Sequence, residues 1–386
     1  MAIYKIFPEK DATLYSAYPA RNTGLDSILE SSTTFIPDAV QASRFVIKFS
    51  STEIADVITN KISGSVTDAT GSLVIGVEDK AFQSNLRCFI SNINGLNTDT
   101  TLEIFPLAES WNMGTGKFQN NPESQNGCSW KYRLSSGSGA WSTTGFGEYI
   151  TASYLADNAG GGAWYTGSTT LDPTQSQVLN YSSDKDVNAN VTNAIRLFNS
   201  GTIANEGFIV KQSDATEFDS VTSDAATIQY FSIDTNTIYP PQLEFKWRDF
   251  TFNTGSSTGT IISTPQLVAS LANNGRDFRR DSIQKFYINC RPQFPTRTYQ
   301  TASAYTTNHY LPTASYYAIK DLDTNEFIID FDTNCTQISA DEDGSYFKLY
   351  MNGLEPERYY QILIKTTIKD STLILDDNYY FKIING

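Results

Sequence analysis

The chain has 386 residues, with 28 Lys and Arg against 42 Asp and Glu and a single histidine, for a net charge of −14. Binding phosphates takes clustered basic side chains, so this balance excludes nucleic acid as an expected partner and equally disfavours an anionic membrane surface. No run of about 18 uninterrupted apolar residues occurs, so no membrane-spanning helix is expected.

The 22 Tyr and 23 Phe, set among abundant Thr, Ser, Asn and Gly, favour pleated strands and tight turns over helices. The opening Met1-Ala2-Ile3-Tyr4-Lys5 lacks the apolar stretch of a secretion signal, so synthesis in a cytoplasm is expected. Strand-like runs then follow in order: Ser43 to Phe49, Gly71 to Val77, Leu86 to Ile90, Thr101 to Phe105, Gly207 to Lys211, Thr227 to Ser232 and Pro241 to Trp247. Their spacing predicts an antiparallel sandwich or jelly roll. Two stretches read as helices, Ser51 to Asn60 and Asp186 to Asn199, each with apolar residues on one face. Between them, residues from about 112 to 185 are rich in Gly, Ser, Asn and Thr, with Trp111 at their start and Trp130, Trp141 and Trp164 scattered through. This predicts a long decorated loop system.

The composition shifts again over residues 251–282, read as a linker, which contains the flexible-looking Asn253 to Thr260 and the one compact basic cluster, Arg276, Arg279 and Arg280. From residue 283 strands resume to residue 386, about seven in about 105 residues, as in an immunoglobulin-like sandwich. The expected fold is therefore all-β: a large jelly-roll-like β-sandwich over 1–250, then a smaller immunoglobulin-like β-sandwich over 283–386.

Candidate chemistry is sparse. His309 stands alone, without a G-x-S-x-G elbow, and reads as a loop or turn residue. The four cysteines fit no metal spacing; Cys290 and Cys335 are a candidate pair, against the expectation of reduced thiols in a cytoplasm. Glu103 with Glu109, and Asp184 with Asp186, are carboxylate pairs of the kind that cleave sugars, yet 42 acids make such pairs by chance. Asp321 to Glu326 begins like a calcium loop but has Glu326 where the sharp turn needs Gly, so it and Asp341 to Gly344 read as hairpin turns. Gly114 to Lys117 lacks phosphate-loop spacing. No enzyme activity, cofactor or metal is expected.

Aromatic loop residues are the remaining signal. Trp130, Trp141, Trp164 and Tyr165 either pack the loops onto the sandwich or bury against a partner protein. The competing reading is sugar stacking by Trp141 and Trp164.

The first 250 residues resemble the DNRLRE-type, carbohydrate-binding-like β-sandwich domains. Lys10 to Tyr15, Asn22-Thr23-Gly24 and Leu29-Glu30 look like that family's first strand and N-x-G turn. Ser43 to Phe49 looks like its R-x-x-L-x-F-D strand, with Ser50 in place of the final acid. Glu109 to Gly116 with Gly127 to Trp130 is similar to its E-x-W…G-V-T-W stretch, and Asn205 to Lys211 to its late strand. Leu311 to Asp321 and Tyr346 to Tyr360 resemble virion structural proteins of T4-like marine phages, especially cyanophages. Within the second stretch, Asn352-Gly353-Leu354 followed by Pro356 and Tyr360 also has a plain physical reading: a turn feeding a strand, with a tyrosine placed to bond back to backbone.

The resemblance implies a non-enzymatic virion protein, assembled in the host cytoplasm and tail-associated, at neck, collar, baseplate or fibre attachment. Its partners would be other virion proteins and further copies of itself, as a trimer or hexamer by symmetry. Contacts are expected at Trp130, Trp141, Trp164, Tyr165, Arg276, Arg279 and Arg280. The alternative implied is a carbohydrate-binding module on a receptor-binding fibre that reads a host-surface glycan.

Overall fold

A computed structural model describes residues 2–36, 39–62, 67–68, 71–72, 77–78, 80–142, 150–155, 158–166, 171–217, 225–247, 260–272, 275–295 and 308–385. The expected run at Gly71 to Val77 lies largely outside these residues, as does the glycine-rich connector 253–259. The architecture is all-β. Two units divide the chain: one combines residues 5–57 with 83–245, the other combines 1–4, 58–82 and 246–386.

In the first unit, the strand Val187–Asn190 pairs antiparallel with Phe82–Cys88, from Val187 opposite Cys88 to Asn190 opposite Asn85. This unit also holds a curled eight-stranded sheet. Its order is Gln175–Leu179, Thr100–Pro106, Phe208–Gln212, Ala39–Phe49, Ile28–Ile36, Thr227–Phe231, Ile90–Asn94, and Pro8–Tyr15 also pairs with Ala39–Phe49. The long Ala39–Phe49 strand is buried on both faces, with Arg44, Phe45, Val46, Ile47 and Phe49 all at 0% exposure. An unbroken apolar run of this kind signals a strand covered on both sides.

One of those covers is the loop system. Trp111, Trp130, Trp141 and Trp164 form one apolar cluster with Ala12, Leu14, Ala42, Val46 and Ile209, whose strands belong to the curled sheet. The segment expected to be loop also contains strands of its own, with Ile150–Leu155 paired to Asn158–Tyr165 and Tyr132–Ser135 to Ser138–Ala140.

Both expected helices are shifted. Ser51–Asp56 is α-helical, capped by Ser50 rather than Ser51, and continues as a π-helix over Val57–Ile62. The second helix is Thr192–Ser200, ended by Gly201 in the left-handed conformation. Its expected first turn is instead the Val187–Asn190 strand, paired with Phe82–Cys88.

The second unit is a sandwich of two sheets. One is Leu267–Ala272, Ile283–Pro292, Gly344–Tyr350, Ser339–Asp341; the other is Asp277–Arg279, Tyr380–Ile384, Tyr359–Ile368, Ser315–Asp321, Phe327–Ile329, with Ser371–Leu375 paired to Tyr359–Ile368. Leu267–Ala272 and Asp277–Arg279 fall in the stretch expected to be linker, so that end of it is part of the sandwich. The core between the sheets is aromatic: Phe347 stacks on Tyr317 at 4.1 Å and on Phe286 at 5.2 Å between ring centroids. Tyr360 donates its hydroxyl to the Glu355 carbonyl five residues upstream, at 3.0 Å, as the sequence predicts. This ties the turn to the strand it feeds.

Candidate functional site

The aromatic residues expected at an interface are core residues of the first unit. Trp130, Trp141 and Trp164 are 0%, 3% and 2% exposed. Trp141 donates its indole N–H to the Ser129 carbonyl at 2.9 Å, and Trp111 donates to the Glu206 carbonyl at 3.0 Å. Trp141 and Trp164 therefore offer no free ring face to a sugar, and the physical reason is plain. Each indole removes a large apolar area from water by lying on the curled sheet. Tyr165, the last of this group, is half-buried.

Beneath the indoles lies a buried ionic network that sequence reasoning missed. Arg44 donates from Nε to both oxygens of Glu217 at 3.1 Å and from a terminal nitrogen to Oε2 at 2.5 Å. It also donates to the Gly161 carbonyl at 2.9 Å, and its guanidinium lies 4.7 Å and 5.3 Å from the rings of Trp130 and Trp164. Gly161 makes this approach possible: its φ is +77°, and a Cβ there would fall 2.7 Å from Arg44 and 2.8 Å from Trp130. Lys211, also fully buried, reaches Glu103 at 3.0 Å, Asp214 at 2.6 Å and Glu217 at 3.8 Å. Arg44, Lys211 and Glu217 are fully buried while Asp214 is exposed, so the network ties the buried sheet face to the surface by paired charges.

The other sequence candidates are engaged structurally. Glu103 pairs with Lys211, Glu109 lies 3.8 Å from Arg133, and Asp186 accepts from the Ile90 N–H at 2.8 Å. Asp321 caps the hairpin turn expected there, accepting from Asp323 and Thr324, and pairs with Arg358 at 2.8 Å. Asp341 likewise caps its turn at Gly344. Among the described residues no group of three or more His, Cys, Asp or Glu side chains is placed to hold a metal ion. All four cysteines are free: Cys290 donates to the His309 carbonyl and Cys335 to that of Ala81, so the candidate pair does not form. Burial pushes the Cys128 and Cys290 thiols up to about 12, the state of inert rather than nucleophilic sulfur.

Two surface features remain. The first is a cleft of about 180 Å³ in the first unit, lined by Tyr15, Tyr18, Phe118, Glu30, Ser32 and Ser43 among others. Asn22 pins the loop that carries Phe118. Fully buried, it donates to the carbonyls of Met113 and Cys128 at 2.7 Å and 2.8 Å and accepts from the Gly116 N–H at 2.8 Å. Gly127 must lack a side chain here, because a Cβ would fall 2.5 Å from the Asn22 amide. The pinned loop carries Phe118 to Tyr15 and Tyr18, at ring separations of 4.9 Å and 5.3 Å.

The second feature is a cationic, aromatic face on the second unit. Arg276, Arg279 and Arg280 are all exposed, and none forms an ion pair among the described residues although Asp277 and Asp281 flank them. Asp277–Arg279 is the outermost strand of its sheet, parallel to Tyr380–Ile384. Along that sheet Lys382 pairs in register with Tyr359, and Gln361 with Tyr380. Tyr359 and Tyr380 are each 45% exposed and lie edge to face at 6.3 Å.

No protein-family profile matches the chain, and no curated protein matches it. Among solved structures, the chain has a distant likeness to the apo structure of Bacteroides uniformis beta-glucuronidase 3, at 9% identity and a TM-score of 0.17. The alignment covers 98% of this chain but only 35% of the glucuronidase chain. A likeness that slight carries no argument about fold or activity.

Proposed function

We propose that this chain is a non-enzymatic structural protein of a tailed-phage virion, tail-associated, that works by docking on other proteins through the cationic face of its second unit. The observation that carries the docking mode is a set of exposed guanidinium groups, Arg276, Arg279 and Arg280, that form no ion pair among the described residues of a chain of net charge −14. Beside them stand the exposed rings of Tyr359 and Tyr380. Arg and Tyr are the residue types that dominate contact energies, and the cation supplies recognition of an acidic surface. The virion assignment rests on the resemblance of Leu311 to Asp321 and Tyr346 to Tyr360 to phage structural proteins. Rigid sandwiches stiffened by internal indoles and a buried ionic clamp suit a part whose job is to hold position, in three or six copies set by the particle.

Labelling of purified particles with an antibody to the chain, followed by cryo-electron microscopy, tests the assignment. A chain found in the lysate but not in the particle would overturn it. Substituting Arg276, Arg279 and Arg280 together by Glu is expected to abolish incorporation while leaving the isolated protein folded.

A further inference from the structure

The cleft at Tyr15, Tyr18 and Phe118 has the chemistry of a cation receptor. Glu30 lines it, held by neutral donors only: Ser32 at 3.1 Å, Ser43 at 3.2 Å and Gln229 at 2.9 Å. No basic side chain among the described residues pairs with it. The rings stand at 56° and 86° to one another, which makes walls around a point rather than the flat floor a sugar ring needs. Arg21 shows that these rings accept a guanidinium, lying 4.2 Å from the Tyr18 centroid and 4.9 Å from that of Phe118. Its own charge is matched by Glu123 at 3.3 Å, not by Glu30. At about 180 Å³ the cleft is well below the roughly 300–1,000 Å³ of small-molecule sites, and suits one inserted side chain.

We infer that this cleft receives an arginine from the Arg276–Arg280 ribbon of a second copy of the chain, in a head-to-tail contact. The chain carries both complements: a carboxylate in an aromatic cleft on one unit, and on the other guanidinium groups that form no ion pair among the described residues. Because donor and receiver are different surfaces, the contact is heterologous, so each copy gives one and takes one, and the assembly closes as a ring or extends as a filament. The inference rests on the docking reading of the ribbon and adds the identity of what it docks on.

The test uses two variants of the full chain: Glu30→Lys, which disables the cleft, and Arg276→Glu/Arg279→Glu/Arg280→Glu, which disables the ribbon. Sedimentation velocity is expected to show the unaltered chain self-associating, with association weakened by added salt, and each variant alone monomeric. An equimolar mixture of the two is expected to form one-to-one dimers and nothing larger, since only one working cleft and one working ribbon remain in each pair. Glu30→Gln keeps the hydrogen bonds to Ser32 and Ser43 and is expected to weaken association at least about tenfold, which guards against misfolding of the lysine variant. A monomeric unaltered chain, a Glu30→Lys variant that still assembles, or a mixture that stays monomeric would each overturn the inference. If the ribbon variant is lost from particles while Glu30→Lys is incorporated normally, the docking role stands and the cleft is not its receiver.

Discussion

Replacing Glu217 by alanine isolates the energetic role of the buried ionic network. The carboxylate is the counter-charge of Arg44, through contacts at 2.5 Å and 3.1 Å, and lies 3.8 Å from Lys211, with all three side chains at 0% exposure. After the change Lys211 keeps Glu103 and Asp214. Arg44 keeps the Gly161 carbonyl and the indole faces but loses its counter-charge in a site closed to water. Breaking a buried pair in this way costs about 3–5 kcal/mol, because an uncompensated charge remains inside. In a unit of roughly 200 residues each kcal/mol moves the midpoint by about 2–4 °C, so the first unit's melting transition should fall by about 6–20 °C. Arg44→Met combined with Glu217→Leu removes both charges and should recover most of that loss, since apolar replacement of a buried pair is often neutral or better. Differential scanning calorimetry reads both variants. A shift under about 2 °C for Glu217→Ala, or a double variant no more stable than the single one, would refute the reasoning.

The remaining predictions concern single side chains. Asn22→Ala strands the Met113 and Cys128 carbonyls and the Gly116 N–H, and should cost more than about 3 kcal/mol in urea unfolding; a cost below about 1 kcal/mol would show the loop is held some other way. Tyr360→Phe removes the bond to Glu355 and should destabilise the second unit by about 1 kcal/mol with no change in strand content by circular dichroism. Trp164→Ala should cost about 3–5 kcal/mol as a core truncation, whereas a surface stacking residue would cost little. Asp11 is fully buried, and burial raises its carboxyl to about 8 despite the bond from the Ile233 N–H. The folded state therefore holds this proton between about pH 4 and pH 8 while the unfolded state has released it, so stability falls as pH rises across that window. Asp11→Asn should gain midpoint temperature relative to the parent as pH goes from 5 to 8, and an unchanged difference between those two pH values would count against the shift.

Much of the strand content could be read directly, since Ser43 to Phe49 and Thr101 to Phe105 lie inside observed strands. The Tyr360 corner was legible too, because its partner is only five residues away. Local patterns failed where a strand runs straight into a helix: Val187 and Ala189 are buried on alternate positions of a strand, yet Val187 is also at helical spacing from Val191, Ala194, Ile195 and Phe198. The loop tryptophans were recognisable as important, but their burial depends on a sheet covered on both faces. The hint was the unbroken Phe45-Val46-Ile47 run. Arg44 and Glu217 are 173 positions apart, and Tyr15 and Phe118 meet through a loop held by Asn22, Asp26 and Arg21; nothing in a linear pattern links such partners.

The interleaving of the two units constrains the order in which they can form during synthesis. Every segment of the unit spanning 5–57 and 83–245 has been made before residue 246 appears. The other unit must hold residues 58–82 in reserve until chain more than 160 residues downstream arrives, about 10–30 s at roughly 5–20 residues per second. Ala81 waits there for Cys335, and Ile3 waits longer for Gly353, whose backbone abuts its carbonyl. Through that interval Ala81 and Ile3 lack the late partners they meet in the finished fold, so this unit closes only as the last part of the polypeptide emerges.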